Sequence, residues 1–443
     1  MSRTKEKELA QLTDRILTAH RSLVEHENGT PSRVRALHIE AMDAFLRLGF
    51  PGARSEAWKY TPVSRWLSDD LTFATGTGAT TVGLSDWLAG VSGFIAVSVD
   101  GRFRPDLSRL PEGSSGLVVT SLSEAMATHT DVVSNHLGKY AGHEDEVFAA
   151  LNTAFVKNGL FVHVKEGATL DRPLFITDLP SEGARLLRQP RNLFVFEDNT
   201  RASVVEWYDR AEADEGMDNA LSEISIGAGA DIHHCHVFDR GAKARLVNAM
   251  YAYQRRDSRF TTNHVTLTGS LVRHNLNFLP DDEGCETHLF GLMAARDDMH
   301  VDIHSFVDHA KPLSVSNELY KCILDGRSTG VFNGKVLVRQ DAQQINAYQS
   351  NRSILLSDDA RMFSKPELEI YADDVKCSHG ATTGRLDAEA IFYLRSRGLC
   401  AEDARLLLLQ SFAAEVINQI EVKAVSEEIM RRLSLRLRAG ESV

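Results

Sequence analysis

The chain has 443 residues, 43% of them hydrophobic and 25% charged, which excludes a small disulfide-stapled module and long-range disorder and calls for several domains or one extended repeat architecture. Lys and Arg number 49 against 61 Asp and Glu, and the net charge of -12 opposes nonspecific attraction to nucleic acid or an anionic membrane. The five cysteines, Cys235, Cys285, Cys322, Cys377 and Cys400, are odd in number and form no C-x-x-C pair, which argues against a disulfide framework or zinc ribbon and fits a reducing compartment.

The first residues mix Lys and Glu and lack the apolar core of a signal peptide, and the late apolar run Leu406 to Leu409 is far short of the roughly 20 residues that span a bilayer, so a cytoplasmic protein is expected. Leu9, Leu12 and Ile16 predict one amphipathic helix, and Val34, Leu37, Ala41, Phe45 and Leu48 a second, stopped by Gly49 and Pro51. Aromatic residues then gather in Trp58-Lys59-Tyr60-Thr61 ahead of Pro62, and the Gly/Thr-rich stretch 75–81 reads as a loop. Phe94 to Val99 and Leu117 to Thr120 predict short strands, and Glu144 to Phe155 another helix.

From about Leu160 to about Ile370, short apolar alternations follow one another with little helical periodicity. Four turns share a form in which an apolar strand end passes through small or acidic residues to an alanine and on to the next strand: Val164 to Leu170, Ile226 to Ile232, Val338 to Ile345 and Leu356 to Phe363. A tight corner leaves little room for a side chain, which favours Gly and Ala, while Asp and Asn tolerate the unusual dihedrals. The pattern predicts a β-solenoid with uneven rungs, with a two-sheet sandwich as the alternative. Beyond Gly384 the chain returns to helix, with Asp387 as N-cap and Gly398 as stop. A second helix follows from Ala401 with Leu406, Leu409, Ala413, Val416 and Ile420 on one stripe, and an Arg-rich helix comes last. The predicted divisions are a helical and mixed region over 1–155, the solenoid over 156–385 and a helical domain over 386–443.

Several stretches carry candidate chemistry. Gly330 to Lys335 is too short for a phosphate loop, and Val336 stands where a hydroxyl is required, so a strand-to-strand turn is expected and nucleotide hydrolysis must come from another protein. His300, Asp302 and His304 share one face of a strand, as metal ligands or as the polar outer face over Val301 and Ile303; the polar face is favoured. In His233-His234-Cys235-His236, alternation puts His234 and His236 on one side with Ile232 and Phe238, and neither face collects more than two ligands, which disfavours metal. Cys377 and His379 stand two apart on a predicted strand, where thiolate and imidazole suit iron or an iron–sulfur cluster but do not close a site alone.

The residues Ser316-Asn-Glu-Leu-Tyr-Lys321, Gly330-Val-Phe-Asn-Gly-Lys335, Tyr348-Gln-Ser-Asn351, Lys365-Pro-Glu-Leu-Glu-Ile-Tyr371, Asp374-Val-Lys-Cys-Ser-His-Gly-Ala-Thr382 and Phe392-Tyr-Leu-Arg-Ser-Arg-Gly398 resemble the SufB/SufD proteins of the SUF iron–sulfur cluster assembly system. Trp58 to Thr61 resembles the family's N-terminal motif, and Cys-x-His at Cys377 and His379 favours the SufD type. The resemblance implies a right-handed parallel β-helix between helical terminal domains. It also implies a non-catalytic scaffold that pairs with a SufB-like protein and engages a SufC-like ATPase through its C-terminal helical region. The position of His379 implies a ligand to a nascent iron–sulfur cluster or iron at the shared interface, with Cys377 supporting it. No tightly bound cofactor is expected in the isolated chain, and a homodimer is possible when it is alone. Two rival readings are a polysaccharide-cleaving β-helix enzyme using Asp281, Asp282 and Glu283 or Asp297 and Asp298, and a self-contained metal protein using His300, Asp302 and His304.

Overall fold

From Leu160 onward the strands alternate between two sheets, with Leu186–Arg188 and Arg191–Phe196 lying consecutively in the same one, and pair in parallel from rung to rung. This is a β-solenoid of about eight turns and not a sandwich. The structure, a computed structural model, describes residues 3–26, 32–52, 55–67, 70–74, 83–111, 116–181, 185–211 and 214–438, so the predicted loop over 75–81 lies outside the described residues. The first sheet has 11 strands and ends on Arg361–Ile370; the second has 10 and ends on Val375–Gly384. Among the described residues, antiparallel strand pairs occur only at the N-terminal end, where Arg102–Phe103 joins Phe94–Val99 and Leu117–Ser121 joins Leu160–Val164.

The four turns singled out in the sequence are corners where the chain crosses between sheets. Ala230, Ala342 and Ala360 are buried there, each a methyl group filling a corner too tight for a larger side chain. Asn199, Asp257 and Asp297 hold left-handed backbone at other corners, with φ of 57°, 54° and 57°. Inside, residues stack in register between rungs. One second-sheet column runs Glu206, His236, His264, Gly291, Tyr320, Asn351, and a Cβ on Gly291 would lie 2.2 Å from the Tyr320 ring, so the ring occupies the space that glycine leaves.

Gly330 to Lys335 is not a turn but the interior of strand Thr329–Val338. Its glycines are there for space, since a Cβ at Gly330 would meet Met362 Sδ at 2.9 Å and one at Gly334 would meet Gln349 Nε2 at 2.1 Å. The helix predicted from Glu144 begins at Val147, because the Glu146 side chain accepts a hydrogen bond from Ala149 N and acts as the cap.

Helices cover the outer faces of both sheets. Arg3–Glu25 and Ser32–Leu48 bury Leu9, Leu12, Ile16, Ala41 and Phe45 in one cluster with Leu187, Met217, Val247 and Leu271 of the first sheet. Ala401–Ile417 and Lys423–Arg438 set Leu409, Ala413, Val416, Ile429 and Leu433 against Val205, Trp207, Val237 and Leu292 of the second. Each Leu, Ile, Val or Phe among them contributes about 1.5–3 kcal/mol on burial. Arg432 fastens the last helix, donating to Asp209 at 2.6 Å and Asp239 at 2.7 Å above the Trp207 ring. The last rungs keep their ends open, and that leaves the site exposed.

Candidate functional site at the open end of the solenoid

Val375–Gly384 closes the second sheet, so one side of its ladder has no strand partner among the described residues. On the other side it pairs with Ile345–Leu355, Cys377 opposite Ala347 and His379 opposite Gln349. Val375 and Cys377 pack against the interior core, and alternation puts His379 on that same side, where no further rung covers it and it stays exposed. Burial pushes the Cys377 thiol up, against a hydrogen bond with the backbone of Ala347, so the sulfur is held mainly as thiol. Beneath His379 the column continues through Gln349 to Glu318, both buried. Glu318 accepts from Ser305 Oγ at 2.6 Å, and burial pushes its carboxyl up to about 7. The companion edge strand Arg361–Ile370 carries Pro366, which has no N–H for a ladder, and the exposed Tyr371 follows it.

The structure thus brings Cys377 and His379 to one exposed edge and adds no third metal-ligating side chain to them among the described residues. Gln349 and Glu318 were not singled out as site residues. The signal was available, because Glu318 lies in the Ser316 to Lys321 motif and Gln349 in the Tyr348 to Asn351 motif, but the register that stacks them is a tertiary fact.

The other candidates lie elsewhere. Asp302 accepts from Arg273 Nη1 at 2.6 Å and from the Thr61 hydroxyl and lies 3.0 Å from His304 Nε2, while Val301 and Ile303 face the core. Thr61 has one proton, given to Asp302, so its oxygen accepts from His300 Nε2 at 2.9 Å. Arg273 also donates to Ala57 O at 2.8 Å and lies 3.7 Å over the Trp58 ring. This is the polar outer face, turned into a lock for the Trp58 to Thr61 segment. Asp282 and Glu283 both pair with Arg256, Asp281 accepts from Tyr253, and Asp298 pairs with Arg327, so each of these acids is already engaged by a neighbouring side chain. His234 and His236 face the interior with Ile232 and Phe238, as alternation predicts, and Cys235 and Val237 face the C-terminal helices. All five cysteines are free.

Comparison with known proteins agrees with this architecture. The family profile for the SufBD core domain of SUF system FeS cluster assembly matches residues 179–412, and that for the SufBD N-terminal region matches residues 7–176. An iron–sulfur cluster assembly SufBD family protein of Synechocystis sp. is 34% identical over 89% of this chain and 89% of its own. The iron–sulfur cluster assembly protein SufD of Escherichia coli is 28% identical over 94% and 96%, and that of Bacillus subtilis 26% over 71% and 72%. With both profiles in sequence along one solenoid and its helical ends, this chain belongs to the SufB/SufD family of iron–sulfur cluster assembly proteins and is of the SufD type.

Proposed function

We propose that the protein is a non-catalytic scaffold subunit that pairs through the open end of its solenoid with a SufB-like protein and presents His379 to a nascent cluster at the junction. The cluster is cargo, and the partner supplies the ligands that Cys377 and His379 lack. The observation that carries this reading is the uncapped terminal rung, where an unpaired ladder edge and an exposed imidazole coincide. An unpaired edge is a ready template for another strand. Exposed Phe392 and Tyr393, 73% and 56% accessible on helix Ala388–Ser396, offer an aromatic surface for a SufC-like ATPase, whose nucleotide chemistry supplies the energy this chain has no loop to harvest. Among the described residues no helix is long and apolar enough to cross a membrane, and the acidic balance supports a protein-binding role over nucleic-acid binding.

The test is co-expression of the tagged chain with SufB-like and SufC-like proteins, followed by anaerobic reconstitution with iron and sulfide. His379→Ala is expected to leave the complex assembled and to slow cluster formation. Assembly at the wild-type rate would remove His379 from the site. Purification of the tagged chain without either partner would remove the scaffold reading.

A further inference from the structure

Midway along the solenoid the interior holds histidines for which cluster assembly at the open end has no use. His236 on strand Asp231–Phe238 and His264 on strand Arg259–Thr266 are partners in register, their rings stacked with centroids 5.6 Å apart. His274, on strand Leu271–Pro280 of the opposite sheet, crosses the interior to meet both, 5.1 Å from each ring. One ring nitrogen from each lies within 4.8 Å of the other two, and all three side chains are buried.

Their hydrogen bonding is incomplete. His264 Nε2 meets Thr262 Oγ1 at 3.1 Å, and the His274 ring reaches Asn248 through Nδ1 at 3.3 Å and Thr266 through Nε2 at 3.4 Å. His264 Nδ1 and both nitrogens of His236 have no partner, although each unmet buried polar group costs about 1–3 kcal/mol. His236 and His264 thus each bring an unpartnered nitrogen to this cluster, and His274 brings nitrogens held only by the long contacts to Asn248 and Thr266, a donor set that no protein group in the core satisfies. Burial disfavours the charged form of all three rings, and a neutral imidazole offers a lone pair. Behind them, Thr262 also bonds His234 Nδ1 at 2.9 Å, and His234 Nε2 bonds the buried Glu206 carboxylate at 2.9 Å. That supplies oriented supporting groups and one negative charge close by, as metal-bound histidines require.

We propose that His236, His264 and His274 bind one divalent transition-metal ion of the zinc or iron(II) class as a structural site inside the solenoid. Three imidazoles with a fourth position for water suit these ions, whose metal–nitrogen distance of about 2.1 Å sets ligand nitrogens about 3.4 Å apart. Small ring rotations bring the three nitrogens to that spacing. The ion enters as the rungs assemble, because the finished interior encloses it. The site is separate from the open end: from Thr262, on the strand of His264, the neighbouring column reaches His379 through Leu289, Glu318 and Gln349, four ladder steps or roughly 19 Å at about 4.8 Å per step. This departs from the expectation of an isolated chain without a bound cofactor.

The experiment is elemental analysis of the full-length chain expressed with added zinc, iron or cobalt and purified through chelator, with visible spectroscopy of the cobalt form. The expected result is close to one ion per chain and cobalt d–d bands of tetrahedral strength. His236→Gln and His274→Gln should each lower the metal content about tenfold or more. His233→Gln, on the opposite face of the strand, and His379→Ala should keep it, which separates this site from the cluster site. If the Gln variants fail to fold, X-ray absorption on the cobalt form of the wild type should still show a shell of imidazole nitrogens. A metal-free wild type, an ion bound through other ligands, or a triad variant that keeps its ion would overturn the proposal.

Discussion

Replacing Asp302 by Asn tests whether the Trp58 to Thr61 segment is locked to the solenoid by charge. Arg273 is fully buried and would face a neutral amide in place of the carboxylate, its other contacts being Ala57 O, Asn275 Oδ1 at 3.0 Å and the face of Trp58. Removing one member of a buried ion pair while leaving the other charged costs about 3–5 kcal/mol. Urea unfolding followed by the fluorescence of Trp58 and Trp66, both close to the pair, should report a loss of that size. Hydrogen exchange of the backbone over residues 55–67 should quicken by about a hundredfold or more, at 1.4 kcal/mol for each factor of ten. The double variant Arg273→Met with Asp302→Leu should recover at least half of the loss, because no charge is then stranded. Burial alone would raise the Asp302 carboxyl, but Arg273, His304 and Thr61 outweigh it and hold the group well below the usual carboxylate range. The stabilisation is therefore present above the unfolded carboxyl's value of 3.8 and fades as pH falls through the folded one, so wild type and Asp302→Asn should converge in acid. A loss under about 1 kcal/mol, or a double variant as unstable as the sum of the two single ones, would refute the lock.

Glu318 carries the opposite sign. Its carboxyl titrates near 4.5 when unfolded and about 7 when folded, so the folded state binds its proton more tightly between those values and stability falls as pH rises through them, by about 3 kcal/mol at about 1.4 kcal/mol per pH unit. Glu318→Gln should flatten the dependence of the urea midpoint over that range, and an unchanged slope would exclude Glu318 as its source. Thiol alkylation of the native protein should mark exposed Cys400 first and half-buried Cys377 slowly, leaving Cys235, Cys285 and Cys322 unmodified until denaturant is added. Labelling of Cys235 at the rate of Cys400 would contradict the helical cover over the second sheet.

Much of the molecule is written locally. The stripes at Leu9, Leu12 and Ile16 and at Leu406, Leu409, Ala413 and Val416 are helix faces whose buried residues match the predicted ones. The corners at Ala230, Ala342 and Ala360 are equally legible, because the tightness of a turn selects residues within a few positions of itself. Cys377 and His379 share a side because strand periodicity alone puts them there. The Gly330 to Lys335 stretch misled for the converse reason: its glycines answer to Met362 and Gln349 on neighbouring rungs, and no local rule announces those neighbours.

By itself, then, the sequence determined the rungs, their corners, the helical ends and the pair Cys377 and His379. Only the tertiary structure decided which residues stack. Rung offsets of 28, 27, 29 and 31 residues along the second sheet follow no fixed period, so register is set by how each corner packs and not by counting. That register places Glu318 and Gln349 under His379, turns Asp302 toward Arg273 and Thr61, and gathers His236 and His264 opposite His274, which comes from the other sheet and lies only ten residues beyond His264. Interior chemistry in a solenoid depends on contacts between turns, and the corner geometry that sets them is settled only when the whole stack has formed.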